Sequence, residues 1–209
     1  MNSIEMRLAE LSRRSSQIVL YQDFDFDATL KRVGQMPVKF DTQLLSFLRF
    51  SNGVSIFDYC FMGFKNNQLG IDIDENVEEL KFATDILTDE FVAFMGTSSS
   101  DLFGYLLNMV DAHGNHPIAY NNLNEPRKVF VIASSFEGFM HTFLDDVEDM
   151  LDRYPNGEFL LEIENENWPR NVEHWLKSDT DLRELYSSGE LRKFFKMKGW
   201  DFGYGEDVG

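Results

Sequence analysis

Residues 91–140 read FVAFMGTSSSDLFGYLLNMVDAHGNHPIAYNNLNEPRKVFVIASSFEGFM, and this stretch decides the fold. It holds four short apolar runs, FVAFM, DLFGYLLNM, HPIAY and KVFVIA, set apart by polar or Gly-containing connections such as TSSS and DAHGN. Runs of this length, rich in β-branched and aromatic residues and bounded by turn formers, are strands. Their connections are too short to hold crossover helices, so consecutive strands lie antiparallel as a meander. At the end of the fourth run, Ser134 and Glu137 have the S-x-x-E spacing of a capping box and open a helix. Phe136, Phe139, Met140, Phe143, Val147, Met150 and Leu151 then recur every three or four residues. That spacing makes one continuous apolar stripe, which must cover the sheet. The opposite face carries Asp145, Glu148, Asp149 and Asp152, a row of carboxylates offered to water or to a partner.

Upstream, Ile4, Leu8 and Leu11 share one face of a short amphipathic helix over Ile4–Arg14. A strand-like QIVLY follows, and then the acidic, turn-prone run DFDFD at 23–27. Asp41 is suited to N-cap a helix with Leu44, Leu45 and Leu48 facing inward, and Asn52-Gly53 to end it in a left-handed conformation. VSIFDYCFMGF reads as one strand or a tight hairpin, and a further helix is expected from about Glu75 to Leu87. From Pro155-Asn156-Gly157 onward the texture changes. Residues 1–154 are therefore read as the α+β domain and 155–209 as a C-terminal extension with short helices around Leu182–Tyr186 and Leu191–Phe195. The extension holds Trp168, Trp175 and Trp200, together with a small basic cluster of Arg192, Lys193, Lys196 and Lys198 that docks on the acidic core or stays solvated. The expected fold class is thus α+β, a mostly antiparallel mixed sheet flanked by helices, with a helical extension.

Bulk composition narrows the function. With 43% hydrophobic residues and 14% aromatics over 209 residues, the chain has enough apolar material to offset the conformational entropy of one well-buried core. Its 36 acidic and 19 basic side chains leave a net charge of −17. Such a surface repels polyphosphate, because binding nucleic acid depends on Lys and Arg releasing condensed counterions. The same field draws in a basic protein. A single cysteine, Cys60, excludes an intramolecular disulfide. The N-terminal MNSIEMRLAELSRR alternates charged and apolar residues and has neither a signal core nor a cleavage site, and no apolar run approaches membrane-spanning length. Together these features lead us to expect a cytoplasmic protein with no membrane association.

The clusters that resemble chemistry mostly have plainer readings. IDIDEN at 71–76 begins like a calcium loop, yet Val77 stands where the turn needs Gly and Ala83 where the bidentate Glu belongs. Asp23, Asp25 and Asp27 alternate as on a strand face, but no ligand-spacing rule supports a metal site there, and a solvated turn is the better reading. A metal-dependent hydrolase using these three residues is the remaining catalytic alternative. His113 and His116 fall in a hairpin turn, His141 precedes Asp145 by four residues as a surface pair, and Cys60 lies in an apolar run that raises its pKa. Ser98–Ser100 and Ser134-Ser135 lack a G-x-S-x-G context, and there is neither a Walker A sequence nor a G-x-G-x-x-G. No metal, cofactor or catalytic residue is expected.

The order of the elements carries a resemblance. The helix FDTQLLSFLRFSNGV, an aromatic strand ending FMGF, an acidic linker helix, FVAFMGTSSSDLFGYLL, HPIAYNN and KVFVIASSFEGFM follow one another over about residues 25–152. This pattern resembles the SUKH superfamily, which includes fungal cell-wall regulators of the Smi/Knr type and bacterial immunity proteins; the extension after residue 155 is not something the family requires. The resemblance implies a mixed sheet flanked by helices, no catalytic centre and a protein-binding role. The corresponding expectation is an immunity-type protein that binds and neutralises a basic toxin domain of a polymorphic or contact-dependent system. Its contact surface is formed by Asp145, Glu148, Asp149 and Asp152 together with Asp72, Asp74 and Glu75. An intracellular scaffold or regulator of the Smi/Knr type is the alternative.

Overall fold

A computed structural model describes residues 3–22, 25–33, 42–64, 73, 91–111, 113–125, 128–154 and 168–202. Its centre is an eight-stranded sheet whose strands lie side by side in chain order. The strands are β1 (Ile18–Leu20), β2 (Val54–Ile56), β3 (Tyr59–Phe61), β4 (Phe91–Thr97), β5 (Asp101–Leu106), β6 (Ile118–Asn122), β7 (Lys128–Ala133) and β8 (Asp201–Phe202). Every pair from β1 to β7 is antiparallel, and β8 alone runs parallel to its neighbour β7. The four apolar runs are the strands β4 to β7, and VSIFDYCFMGF is a hairpin, β2–β3, turning at Phe57 and Asp58. Phe57 turns with φ of 53°, a left-handed conformation that side chains other than Gly rarely adopt.

Seven helices flank the sheet among the described residues: α1 (Ser3–Arg14), α2 (Phe26–Val33), α3 (Thr42–Phe50), α4 (Phe136–Arg153), α5 (Val172–Ser178), α6 (Thr180–Ser187) and α7 (Glu190–Lys198). The α+β class and the helical C-terminal region are therefore as the sequence led us to expect. Helix α4 buries its whole predicted stripe, from Phe136 to Leu151, against the sheet. The Phe139 ring is the hub, with centroids 5.6 Å from Phe94, 5.8 Å from Phe103, and 5.7 Å each from Phe143 and Trp175. Such aromatic pairs add about 0.5–1.5 kcal/mol beyond the area they bury.

Local chemistry departs from the sequence reading at the start of α4. The N-cap is Ser135, whose hydroxyl accepts from the Gly138 amide at 3.1 Å, so the Ser134–Glu137 capping box does not form. Ser134 instead donates its hydroxyl, and its backbone N–H at 2.7 Å, to Asp179. Asp179 also N-caps α6 by accepting from Leu182 N at 2.8 Å. One carboxylate thus joins the end of the meander to the C-terminal helices. All three tryptophans are buried, and two reinforce that junction: Trp168 packs on Tyr59, Phe103 and Phe143 of the sheet and α4, and Trp175 on Phe139 of α4.

Two close approaches fix the sheet. Gly53, at φ 102°, ends α3 as expected, while Asn52 turns inward and clamps the Phe64 backbone. Its Nδ2 donates to Phe64 O at 3.2 Å and its Oδ1 accepts from Phe64 N at 2.8 Å. At Gly104 a Cβ would stand 2.3 Å from the Val92 carbonyl oxygen, so β4 and β5 approach there as only glycine permits. The expected helix from about Glu75 to Leu87, and Asp41 at the start of α3, lie outside the described residues.

Candidate functional site

The carboxylate row of α4 forms as its spacing predicts, but it does not stand alone. Helix α1 lies beside α4 and directs Arg7 and Arg14 at the row. The Arg7 guanidinium donates to Asp145 Oδ1 at 2.6 Å and to Glu148 Oε1 at 2.7 Å, and Arg14 pairs with Asp152. On α4 itself, Arg153 pairs with Asp149 one turn away. Three arginines thus offset all but one of the row's four charges. Partial burial would lower the pKa of Arg7, but the hydrogen bonds with Glu148 and Asp145 outweigh it and hold the guanidinium above its ordinary value. The carboxylates nevertheless stay open to solvent, with side-chain exposures of 69% for Asp145, 61% for Asp149 and 71% for Asp152. Exposed pairs of this kind are each worth about 0–1 kcal/mol, so an incoming guanidinium can exchange with the internal one at small cost. Asp72, Asp74 and Glu75, the other half of the expected surface, lie outside the described residues.

Asp146, also on α4, belongs to the interior side. Its Oδ2 accepts from Trp168 Nε1 at 3.1 Å and lies 2.9 Å from His174 Nε2, which binds the C-terminal helices to α4. His141 leans toward Glu137 at 3.8 Å and lies 3.4 Å from Arg7 through Nδ1, and no described bond links it to the expected partner Asp145.

The remaining chemistry-bearing residues take structural posts. Asp25 caps α2 by accepting from Ala28 N at 3.1 Å, and Asp27 lies in the first turn of that helix. The two therefore do not share a strand face, and Asp23 is outside the described residues. His113 donates its backbone N–H to Asp111 at 2.8 Å, whereas the His116 ring nitrogen lies 3.0 Å from Met109 O, so each serves the β5–β6 connection. Among the described residues no group of three His, Cys, Asp or Glu is placed to hold a metal ion. Burial pushes the Cys60 thiol up, a hydrogen bond with Ser55 pulls it down, and the Asp58 charge raises it again, with a net rise that disfavours the thiolate.

One buried carboxylate escaped the sequence reading. Asp101, at the start of β5, is only 5% exposed. It accepts from Tyr120 Oη at 2.6 Å, Asn122 Nδ2 at 2.6 Å and Thr97 Oγ1 at 3.1 Å. Burial, with the hydrogen bond to Asp101 next, pushes the Tyr120 phenol up to about 12. Arg170 covers this cluster, lying over the Tyr120 and Phe130 rings and pairing with Glu125 at 2.6 Å. Three donors meet the acceptor demand of this buried side chain, and two of them, Tyr120 and Asn122, come from β6, so the cluster pins β5 to β6.

A concave surface also emerged that no linear pattern announced. A cavity of about 590 Å³ lies between the β5–β6 connection and helices α6 and α7. Its lining combines Asp181, Glu184 and Glu190 with the apolar Val110, Leu185 and Phe194. The one available signal was the three-residue spacing of Asp181 and Glu184, which puts both on one face of the helix expected around Leu182–Tyr186. No helix among the described residues is long and apolar enough to cross a membrane. Searches with protein-family models and against curated proteins return no match for the chain. The likeness to the SUKH superfamily rests on the order of sequence elements set out above.

Proposed function

We propose that this chain is an immunity-type protein that binds a basic toxin domain of a polymorphic or contact-dependent system and blocks it sterically and electrostatically. The observation that carries this reading is the net charge of −17, displayed in part as the solvent-exposed carboxylates of α4. A long-range negative field raises the encounter rate with a cationic partner, and short-range exchange of arginines then fixes the contact. The SUKH resemblance implies a mixed sheet flanked by helices, and the α+β scaffold, a largely antiparallel sheet flanked by helices, supports the reading. In this reading the chain supplies binding and makes or breaks no bond itself.

Association kinetics with a cognate toxin domain, sought among the genes neighbouring this chain's, test the proposal. Replacing Asp145 and Asp149 by Asn is expected to slow association at low salt. Replacing Arg7 by Gln, which uncovers Asp145 and Glu148, is expected to speed it. An on-rate indifferent to both changes would remove α4 from the interface, and a neighbouring gene without a secreted-toxin architecture would sink the immunity reading. Native capture of several unrelated intracellular partners would favour the scaffold or regulator role instead.

A further inference from the structure

The acidic row of α4 is largely offset by arginines, whereas the carboxylates around the C-terminal cavity are not. Asp181 and Glu184 lie on α6 and Glu190 in the first turn of α7, and no described Lys or Arg stands within ion-pair distance of any of them. None of the described lining residues is Lys or Arg. Asp111 also faces this space, but its carboxylate is occupied by the Asn115 and His113 amides at 2.8 Å each and by the Asn115 side chain, so it adds charge more than free acceptors. The floor is apolar. Leu185 and Phe194 come from the two helices, and Val110, 56% exposed, stands at the rim. Gly189, with φ of 71°, makes the turn that sets α7 against α6 and brings those two side chains together.

From this arrangement we infer that the cavity is the docking groove for a cationic polypeptide segment of the partner that carries one apolar side chain, the cations meeting Asp181, Glu184 and Glu190 and the apolar group entering between Val110, Leu185 and Phe194. The inference rests on the protein-binding reading above and moves its centre from α4 to the C-terminal helices. Charge complementarity selects the occupant. A volume of about 590 Å³ falls within the roughly 300–1,000 Å³ of pockets that take a drug-sized group, room enough for one large apolar side chain. The lining holds four carboxylates, Asp111, Asp181, Glu184 and Glu190, against one histidine, His113, and no Lys or Arg among the described residues, a balance that disfavours an anionic segment.

The test measures fluorescence anisotropy of a short dye-labelled peptide of alternating lysine and leucine titrated with the full chain. Its serine-for-leucine and glutamate-for-lysine counterparts serve as controls. The triple variant Asp181→Asn, Glu184→Gln, Glu190→Gln is expected to bind the lysine–leucine peptide roughly tenfold more weakly, the combined effect of three exposed ion pairs. The serine peptide should lose about as much, through the missing apolar contact. Val110→Lys, a change at an exposed position that leaves the core intact, should weaken binding further. Equal affinity of the triple variant, or of the serine peptide, overturns the groove. The toxin domain separates the two proposals: if it binds wild-type and triple-variant chains equally, the groove fails and the immunity reading stands. If the peptides behave as expected while the toxin domain does not bind, the immunity reading fails and the groove remains.

Discussion

Replacing Asp179 by Ala should loosen the C-terminal helices from the sheet, and the structure sets the size of the effect. The carboxylate takes three donors, the backbone N–H of Ser134 at 2.7 Å, the hydroxyl of Ser134 at 2.9 Å and the backbone N–H of Leu182 at 2.8 Å. Losing the cap of α6 costs about 1 kcal/mol. Leaving the partly buried Ser134 amide without an acceptor costs about 1–3 kcal/mol more, for a total of about 2–4 kcal/mol. With a urea slope of about 2 kcal/mol per M, the unfolding midpoint should fall by about 1–2 M. Two probes report on different parts of the molecule. Tryptophan fluorescence arises only from Trp168, Trp175 and Trp200 in the C-terminal region, whereas far-ultraviolet circular dichroism sees all elements. Because those rings share the core with Tyr59, Phe103 and Phe139, both signals should shift together. Asp179→Asn keeps an acceptor for Leu182 and should lose about half as much. A midpoint shift below about 0.5 M for the alanine variant, or equal losses for both variants, would refute the assignment of Asp179 as the junction.

Other perturbations probe separate parts of the argument. Asn52→Ala removes both side-chain bonds to the Phe64 backbone and should cost about 1–3 kcal/mol, read by urea unfolding. Gly104→Ala drives a methyl group into the Val92 carbonyl and should cost about 1–3 kcal/mol or more, whereas the same change at exposed Gly114 should stay near the cost of its positive φ alone. The Tyr120 phenol, pushed up to about 12 in the folded chain, ionises near 10 when unfolded. Its raised value means that the unfolded state sheds the proton first, so its stabilisation is intact below pH 10 and is lost as pH rises toward about 12. The loss is of order 2–3 kcal/mol, and it should be missing from the stability–pH curve of Tyr120→Phe. Phe139→Ala removes the ring at the centre of the aromatic cluster and should cost about 3–5 kcal/mol in thermal or urea unfolding.

The parts of this fold that could be read in advance are those whose signal is local. The meander from β4 to β7 was visible because each strand is a short apolar run with a turn at its end, and α4 because seven apolar positions keep one helical period. The cap of α4 was misplaced by one residue because Ser134 and Ser135 are chemically alike. What separates them is Asp179, 45 residues further on, which claims the first serine. Helix α5 went unread since its seven residues bury only Val172 and Trp175, too few to establish a period. The acidic face of α4 was legible as a pattern, but its pairing with Arg7 joins residues 138 apart in the chain, and no spacing rule reaches that far. The cavity at α6 and α7 has the same origin, because its walls come from segments that only the folded sheet brings together.

The outer edge of β7 shows what the C-terminal region protects. β8 pairs with it at Lys128 and Val129, and the Tyr186 hydroxyl donates to the Val131 carbonyl at 2.7 Å, so the edge is covered from within the chain at these positions. A sheet that ends in an open strand is a template for another molecule's strand, and acidity slows such growth without preventing it. Removing the last helices would therefore do more than delete tryptophans. It would expose a sticky margin, and the shortened chain should self-associate edge to edge, the more readily as salt screens the repulsion between copies.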